Sequence, residues 1–155
     1  MMKKLRGKRR YFKNLWSLVE NYQLHVENDS WYDLWHRHLD FRGLGNCSLK
    51  VRREHIKAHI VLYSNFLRQL ESFNKPYQSW ICIHEEDSGA DAVYVHTPNP
   101  NINDFPIKFD FIKWDCKVPD SFSDLIDFNK YKVGYYESEY EQIYYIQSKD
   151  IQIPL

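Results

Sequence analysis

Long hydrophobic runs are absent from this 155-residue chain. None approaches the ~20 residues that cross a bilayer, which excludes a transmembrane helix. Glycine and proline are scarce, at five and six residues, so collagen-like and low-complexity chains are excluded too. Cys47, Cys82 and Cys116 are odd in number, with no Cys-x-x-Cys pair. They fit a reducing cytoplasm better than a disulfide framework. The basic N-terminus is not followed by an apolar stretch, so no secretory signal is expected. A Gly-rich phosphate loop and a Gly-x-Ser-x-Gly elbow are also missing. What is plentiful is aromatic rings, 17% of residues. The length suits one domain, residues 1–155, with 1–10 as a basic arm.

Charge is balanced in total and divided in sequence. Residues 1–80 hold 15 basic and 7 acidic side chains, and residues 81–155 hold 6 and 14. Every arginine lies at or before Arg68. Such a division marks either two binding faces or one domain whose halves attract each other.

Hydrophobic spacing gives the elements. Phe12, Leu15, Trp16, Val19 and Tyr22 recur at three and four residues, predicting a helix from about Tyr11 to Leu24. Ser30 followed by Asp33 reads as a short-acid capping box, with Trp31, Leu34 and Trp35 on the buried side of a helical turn. Gly43-Leu44-Gly45-Asn46 is a break. A long helix is predicted from Ser48 to Glu71, stopped by Asn74-Lys75-Pro76. The period then becomes two. Strands are expected at Tyr77–His84, Ala92–Thr97, Ile107–Phe111, Lys130–Tyr136 and Glu141–Gln147, with a helical turn at Ser121–Asp127. The fold class expected is α+β, with N-terminal helices packed on one face of a mostly antiparallel sheet of about five strands.

Six groups of residues bear on chemistry. His36-Arg37-His38-Leu39-Asp40 is similar to the first metal signature of the metallo-β-lactamase fold, where imidazole and carboxylate ligands suit zinc. That family places an apolar strand before the motif and another His after the Asp; here stand Trp31-Tyr32-Asp33-Leu34-Trp35 and Phe41. A His pair hydrogen-bonded at a helix end is therefore the preferred reading. His55 and His59 share a helix face and would form half a metal site, although Ile56 stands where a zinc protease has Glu. Two helical His at this spacing are expected at the surface or its boundary. The alternative to a binding protein is thus a small metal-dependent hydrolase using His36, His38, Asp40, His55 and His59.

Glu85, Glu86, Asp87 and Asp91 crowd a hairpin tip, with His84 near His96 if the hairpin is regular. The three cysteines lack a neighbouring base, and Cys82 reads as core. The basic arm matches no nucleic-acid motif and reads as a solvated terminus. Finally, Tyr135-Tyr136 and Tyr144-Tyr145 must each send one ring to either side of a strand. One set enters the core; the other meets water or a partner, flanked by Glu137, Glu139 and Glu141 beside Tyr140.

The combination of a basic helical start, the Trp31–His36 block, the Gly43–Asn46 loop and a Tyr- and acid-rich sheet resembles small immunity proteins of bacterial contact-dependent growth inhibition and related polymorphic toxin systems. The resemblance implies a cytoplasmic non-enzyme without cofactor that occludes the active site of one cognate toxin, with no membrane or nucleic-acid partner. A basic nuclease domain is the toxin type that suits an acidic surface. The contacts expected on this reading are Glu85, Glu86, Asp87, Asp91, Tyr136, Glu137, Glu139, Tyr140 and Glu141.

Overall fold

The computed structural model describes residues 8–24, 33–37, 49–73, 76–85, 91–98, 103 and 105–150. Helix α1 spans Lys8–Asn21 and α2 spans Leu49–Leu70. Strands are β1 Asp33–Arg37, β2 Gln78–His84, β3 Ala92–Thr97, β4 Lys113–Trp114, β5 Tyr131–Glu137 and β6 Gln142–Ser148. They form one antiparallel sheet in the order β1-β3-β2-β6-β5-β4. A 3-10 turn at Ser123–Leu125 stands where the helical turn is expected. The α+β class is as the sequence predicts, with one difference in order: β1 lies between the two helices.

Helix α1 buries Leu15 and Val19, with Phe12, Trp16 and Tyr22 packed beside them. Its last carbonyls have no partner within the helix, and α2 supplies donors for them. Asn65 Nδ2 donates to the Val19 and Tyr22 carbonyls at 3.0 and 3.3 Å, and Gln69 Nε2 donates to Tyr22 at 2.7 Å. The Leu24 N–H returns a bond to Gln69 Oε1 at 2.8 Å. Polar residues within α2 thus terminate α1.

Helix α2 packs against the sheet through the larger core. Ile56, Tyr63, Phe66 and Leu70 meet Ile81, Ile83, Val93, Val95, Val133, Tyr144 and Ile146. Tyr63 also carries a polar tie. Its hydroxyl donates to the Ser79 carbonyl at 3.1 Å, contacts Ser79 Oγ at 3.0 Å and accepts from the Ser148 N–H at 3.0 Å. Tyr63→Phe strands that buried N–H. Chemical denaturation is expected to show a loss of about 1–3 kcal/mol with an unchanged slope against denaturant.

Two expected elements are different in kind. Residues 33–37 are a strand, where a helical turn is expected over 31–35. Trp31, Leu34 and Trp35 have helical spacing, but three residues are too few for the period to decide the element, and the free edge of β3 supplies a ladder, with Leu34 opposite His96 and His36 opposite Tyr94. The second difference is Ile107–Phe111, which joins no strand ladder. The Gln78 side-chain amide holds the Ile107 backbone at both ends, Nε2 to the carbonyl at 3.0 Å and Oε1 from the N–H at 2.8 Å. A side chain that both donates and accepts thus does for Ile107 what a neighbouring strand would do. The segment becomes a strap across the sheet face remote from the helices. There Trp80, Cys82, Ile112, Ile143 and Tyr145 form a second core, with Ile107, Phe109, Trp114 and Tyr136 against it.

The divided charge is partly spent inside the molecule. Neighbouring arginines of α2 reach into the acidic half: Arg52 pairs with Asp91, and Arg53 holds Asp124 through both carboxylate oxygens, at 2.9 and 2.7 Å. Arg53 keeps the Asp124 carboxyl below the usual carboxylate range by donating to it.

Candidate functional site

Strand β2 ends at His84, β5 ends at Glu137 and β6 begins at Gln142, so three strand ends meet at one end of the sheet. The Glu85 N–H donates to the Gln142 carbonyl at 2.9 Å, extending the β2–β6 pairing by one rung. Glu85 is half-buried and its Oε1 accepts from the Tyr144 hydroxyl at 3.0 Å. Burial, then the same carboxylate, push the Tyr144 hydroxyl well above the ordinary tyrosine range. It therefore stays protonated and remains a donor.

The β5–β6 turn beside it is internally braced. The Ser138 N–H donates to the Glu141 carbonyl at 2.8 Å, and Ser138 Oγ accepts from the Tyr140 and Glu141 N–H groups at 3.3 and 3.1 Å. Serine closes such turns by imitating a backbone acceptor. Tyr140 stands on this tip 80% exposed. Glu137, Glu139 and Glu141 are exposed around it, and among the described residues none has an ion-pair partner.

The expected contacts therefore divide. Glu85, Glu137, Glu139, Tyr140 and Glu141 gather at this end of the sheet. Tyr136 is half-buried beneath Phe111, with ring centroids 5.3 Å apart at 81°. Glu86 and Asp87 lie outside the described residues. Asp91 is corrected from surface contact to internal group: it is 2% exposed, Arg52 grips both of its carboxylate oxygens, and the His84 N–H donates to its Oδ1 at 2.8 Å. The paired tyrosines split across the sheet as the pleat demands. Tyr135 and Tyr144 lie on the helix side with centroids 4.8 Å apart. Tyr145 lies on the other side under the chain's own strap, 6.1 Å from Phe109 and 6.1 Å from Phe111. That ring is covered intramolecularly, not left for water or a partner.

The histidine set is dispersed over several environments. His55 and His59 are fully buried, where the surface or its boundary is expected. The His59 Nδ1–H donates to the His55 carbonyl at 2.8 Å, leaving only Nε2 as a ligand atom. His36 is on β1; His38 and Asp40 lie outside the described residues, as does Cys47. Among the described residues no group of three or more His, Cys, Asp or Glu is placed to hold a metal ion. His96 is opposite Gln78 and so at the other end of the hairpin from His84, against the expected proximity. Burial pushes the Cys82 thiol up to about 12 and raises that of Cys116. Neither is a thiolate near neutral pH, in keeping with the reading of Cys82 as core.

One feature at this end escapes sequence reasoning. A cleft of about 430 Å³ opens between the start of α2, the end of β2, the start of β6 and the loop 119–122. Its walls come from four separate segments, and no local pattern announces it.

No protein-family model matches the chain, and no curated protein or solved structure is significantly similar to it. No helix among the described residues is long and apolar enough to cross a membrane.

Proposed function

We propose that this protein is a cytoplasmic binding protein of the immunity type, which neutralises a cognate bacterial toxin domain by covering its active site. The observation that carries this reading is Tyr140, 80% exposed on a braced turn and ringed by Glu137, Glu139 and Glu141. Tyrosine buries a large area while losing little rotamer freedom, and a turn already held by Ser138 reduces the ordering cost of association. The carboxylates create a negative field that accelerates encounter with a basic surface such as a nuclease cleft. Chemistry is not required of any residue in this arrangement.

The test uses the C-terminal domain of a large secreted protein encoded directly beside this one, should the gene have such a neighbour. Glu137→Lys, Glu139→Lys and Glu141→Lys together are expected to slow association about tenfold at low salt and to flatten its salt dependence. Tyr140→Ala is expected to raise Kd by mainly accelerating dissociation, by about 2 kcal/mol for a buried anchor. Stopped-flow and surface-binding kinetics read both. Unchanged rate constants in the triple variant would remove this surface from the function.

A further inference from the structure

The cleft beside the acidic turn has a built chemical preference. Its floor is apolar and buried: Ile56, Ile83, Phe122 and Tyr144 are 3, 1, 5 and 7% exposed. The Phe122 and Tyr144 rings meet edge to face with centroids 5.5 Å apart. Two charged side chains stand on the lining, Arg52 and Glu85, and they are not equivalent. Arg52 is already committed, since both its Nη atoms donate to Asp91 and Nη2 also donates to the His84 carbonyl at 2.6 Å. Its charge is compensated within the protein and its fork is occupied. Glu85 has no cationic partner among the described residues. It accepts one bond, from Tyr144, and a carboxylate has about four acceptor positions. The uncompensated charge at the cleft is therefore negative, set above hydrocarbon and aromatic edges.

We infer that this cleft is a pocket for a guanidinium or ammonium group carried on an apolar stem, the side chain of an arginine or lysine of the docked partner. The stem lies against Ile56, Ile83 and Phe122, and the cation bonds Glu85. A volume of about 430 Å³ is within the range of sites that enclose small ligands. An anion is disfavoured, because Arg52, the one arginine or lysine on the lining among the described residues, is neutralised by Asp91. Tyr144 orients the carboxylate by holding Oε1, and the Glu85 N–H bond to Gln142 fixes the backbone beneath it. The choice of a partner side chain as occupant rests on the docking reading above. The pocket's preference for such a cation does not.

The probe is N-acetyl-arginine amide, added to the full-length ¹⁵N-labelled protein and followed by two-dimensional NMR. The neutral isostere N-acetyl-citrulline amide serves as comparator. Saturable shifts are expected at Glu85, Ser121, Phe122 and Gln142 with the arginine compound. The citrulline compound and the Glu85→Gln variant are each expected to weaken binding about tenfold, as loss of a charge-assisted hydrogen bond does. Tyr144→Phe, which keeps the ring, should weaken it less. A spectrum of Glu85→Gln otherwise superposable on wild type establishes that the variant is folded. Absent shifts, equal binding of the citrulline compound or indifference to Glu85→Gln would each overturn the pocket. If the pocket binds the probe while the triple reversal at Glu137, Glu139 and Glu141 leaves toxin capture unchanged, the docking reading fails and the cation pocket stands.

Discussion

Asp91→Ala is expected to destabilise the protein by about 3 kcal/mol, because it breaks a buried ion pair and leaves the other half in place. Asp91 is 2% exposed and serves three donors at once: both Arg52 Nη atoms and the His84 N–H. Removing it orphans a guanidinium whose side chain is only 24% exposed, together with a buried backbone N–H. Arg52 would still have the His84 carbonyl, at 2.6 Å, which holds the loss near the lower end of the range for such pairs. Asp91→Asn retains an acceptor for the His84 N–H and loses the charge, so it should fall between alanine and wild type. The double variant Arg52→Ala/Asp91→Ala is expected to lose at least about 1 kcal/mol less than the sum of the single changes, since neither partner is then left unpaired. Equilibrium denaturation of the four proteins measures this directly. A single Asp91→Ala within about 0.5 kcal/mol of wild type would mean that the residue behaves as an ordinary surface acid.

The same pair shows what a sequence can and cannot disclose. Arg52 and Asp91 are 39 positions apart, and nothing local to either marks the other. Charge division between the halves hints that they attract, yet it does not select the partners. Local signals, by contrast, are legible. The spacing of Ile56, Ile60 and Tyr63 predicts α2 to within a residue or two, and alternation around Tyr135 and Tyr144 predicts the β5–β6 hairpin. The acidic turn is legible for the same reason, its residues being contiguous. Ile107, Phe109 and Phe111 alternate as faithfully as any strand, but alternation reports only that one side is covered. Where the backbone hydrogen bonds go is a separate matter: those of Ile107 go to the Gln78 side chain, and the Phe109 carbonyl accepts from the Ile112 N–H. The strap in turn decides the fate of Tyr145 and Tyr136, so a single misread segment changes how much aromatic surface is open to a partner. The cleft lay beyond sequence reading because its lining is assembled from four segments.

Gly134→Ala is expected to destabilise by about 2 kcal/mol, the opposite sign from what glycine in a strand ordinarily gives. Glycine inside a regular element is normally worse than alanine by roughly 0.5–1 kcal/mol, because it loses more backbone freedom on folding. At Gly134 the space for a methyl group is already filled. A Cβ there would collide with Ile112 Cγ2 and lie 2.8 Å from Trp114 Cε3. Neither neighbour has an easy retreat. Ile112 is 6% exposed in the second core, and Trp114 is paired across from Gly134 with the Lys132 ammonium 4.2 Å over its ring. Overpacking of this kind costs about 1–3 kcal/mol, and Gly134→Val should cost more. The damage has a location as well as a size. It falls on the strap side of the sheet, so hydrogen exchange should quicken at Phe109 to Trp114 while α2 stays protected. Ile112→Ala makes room for the new methyl, and the pair of substitutions is therefore expected to lose less than the two singles added together. If Gly134→Ala proves neutral or stabilising, close approach is not what requires glycine there, and the strap does not press on β5.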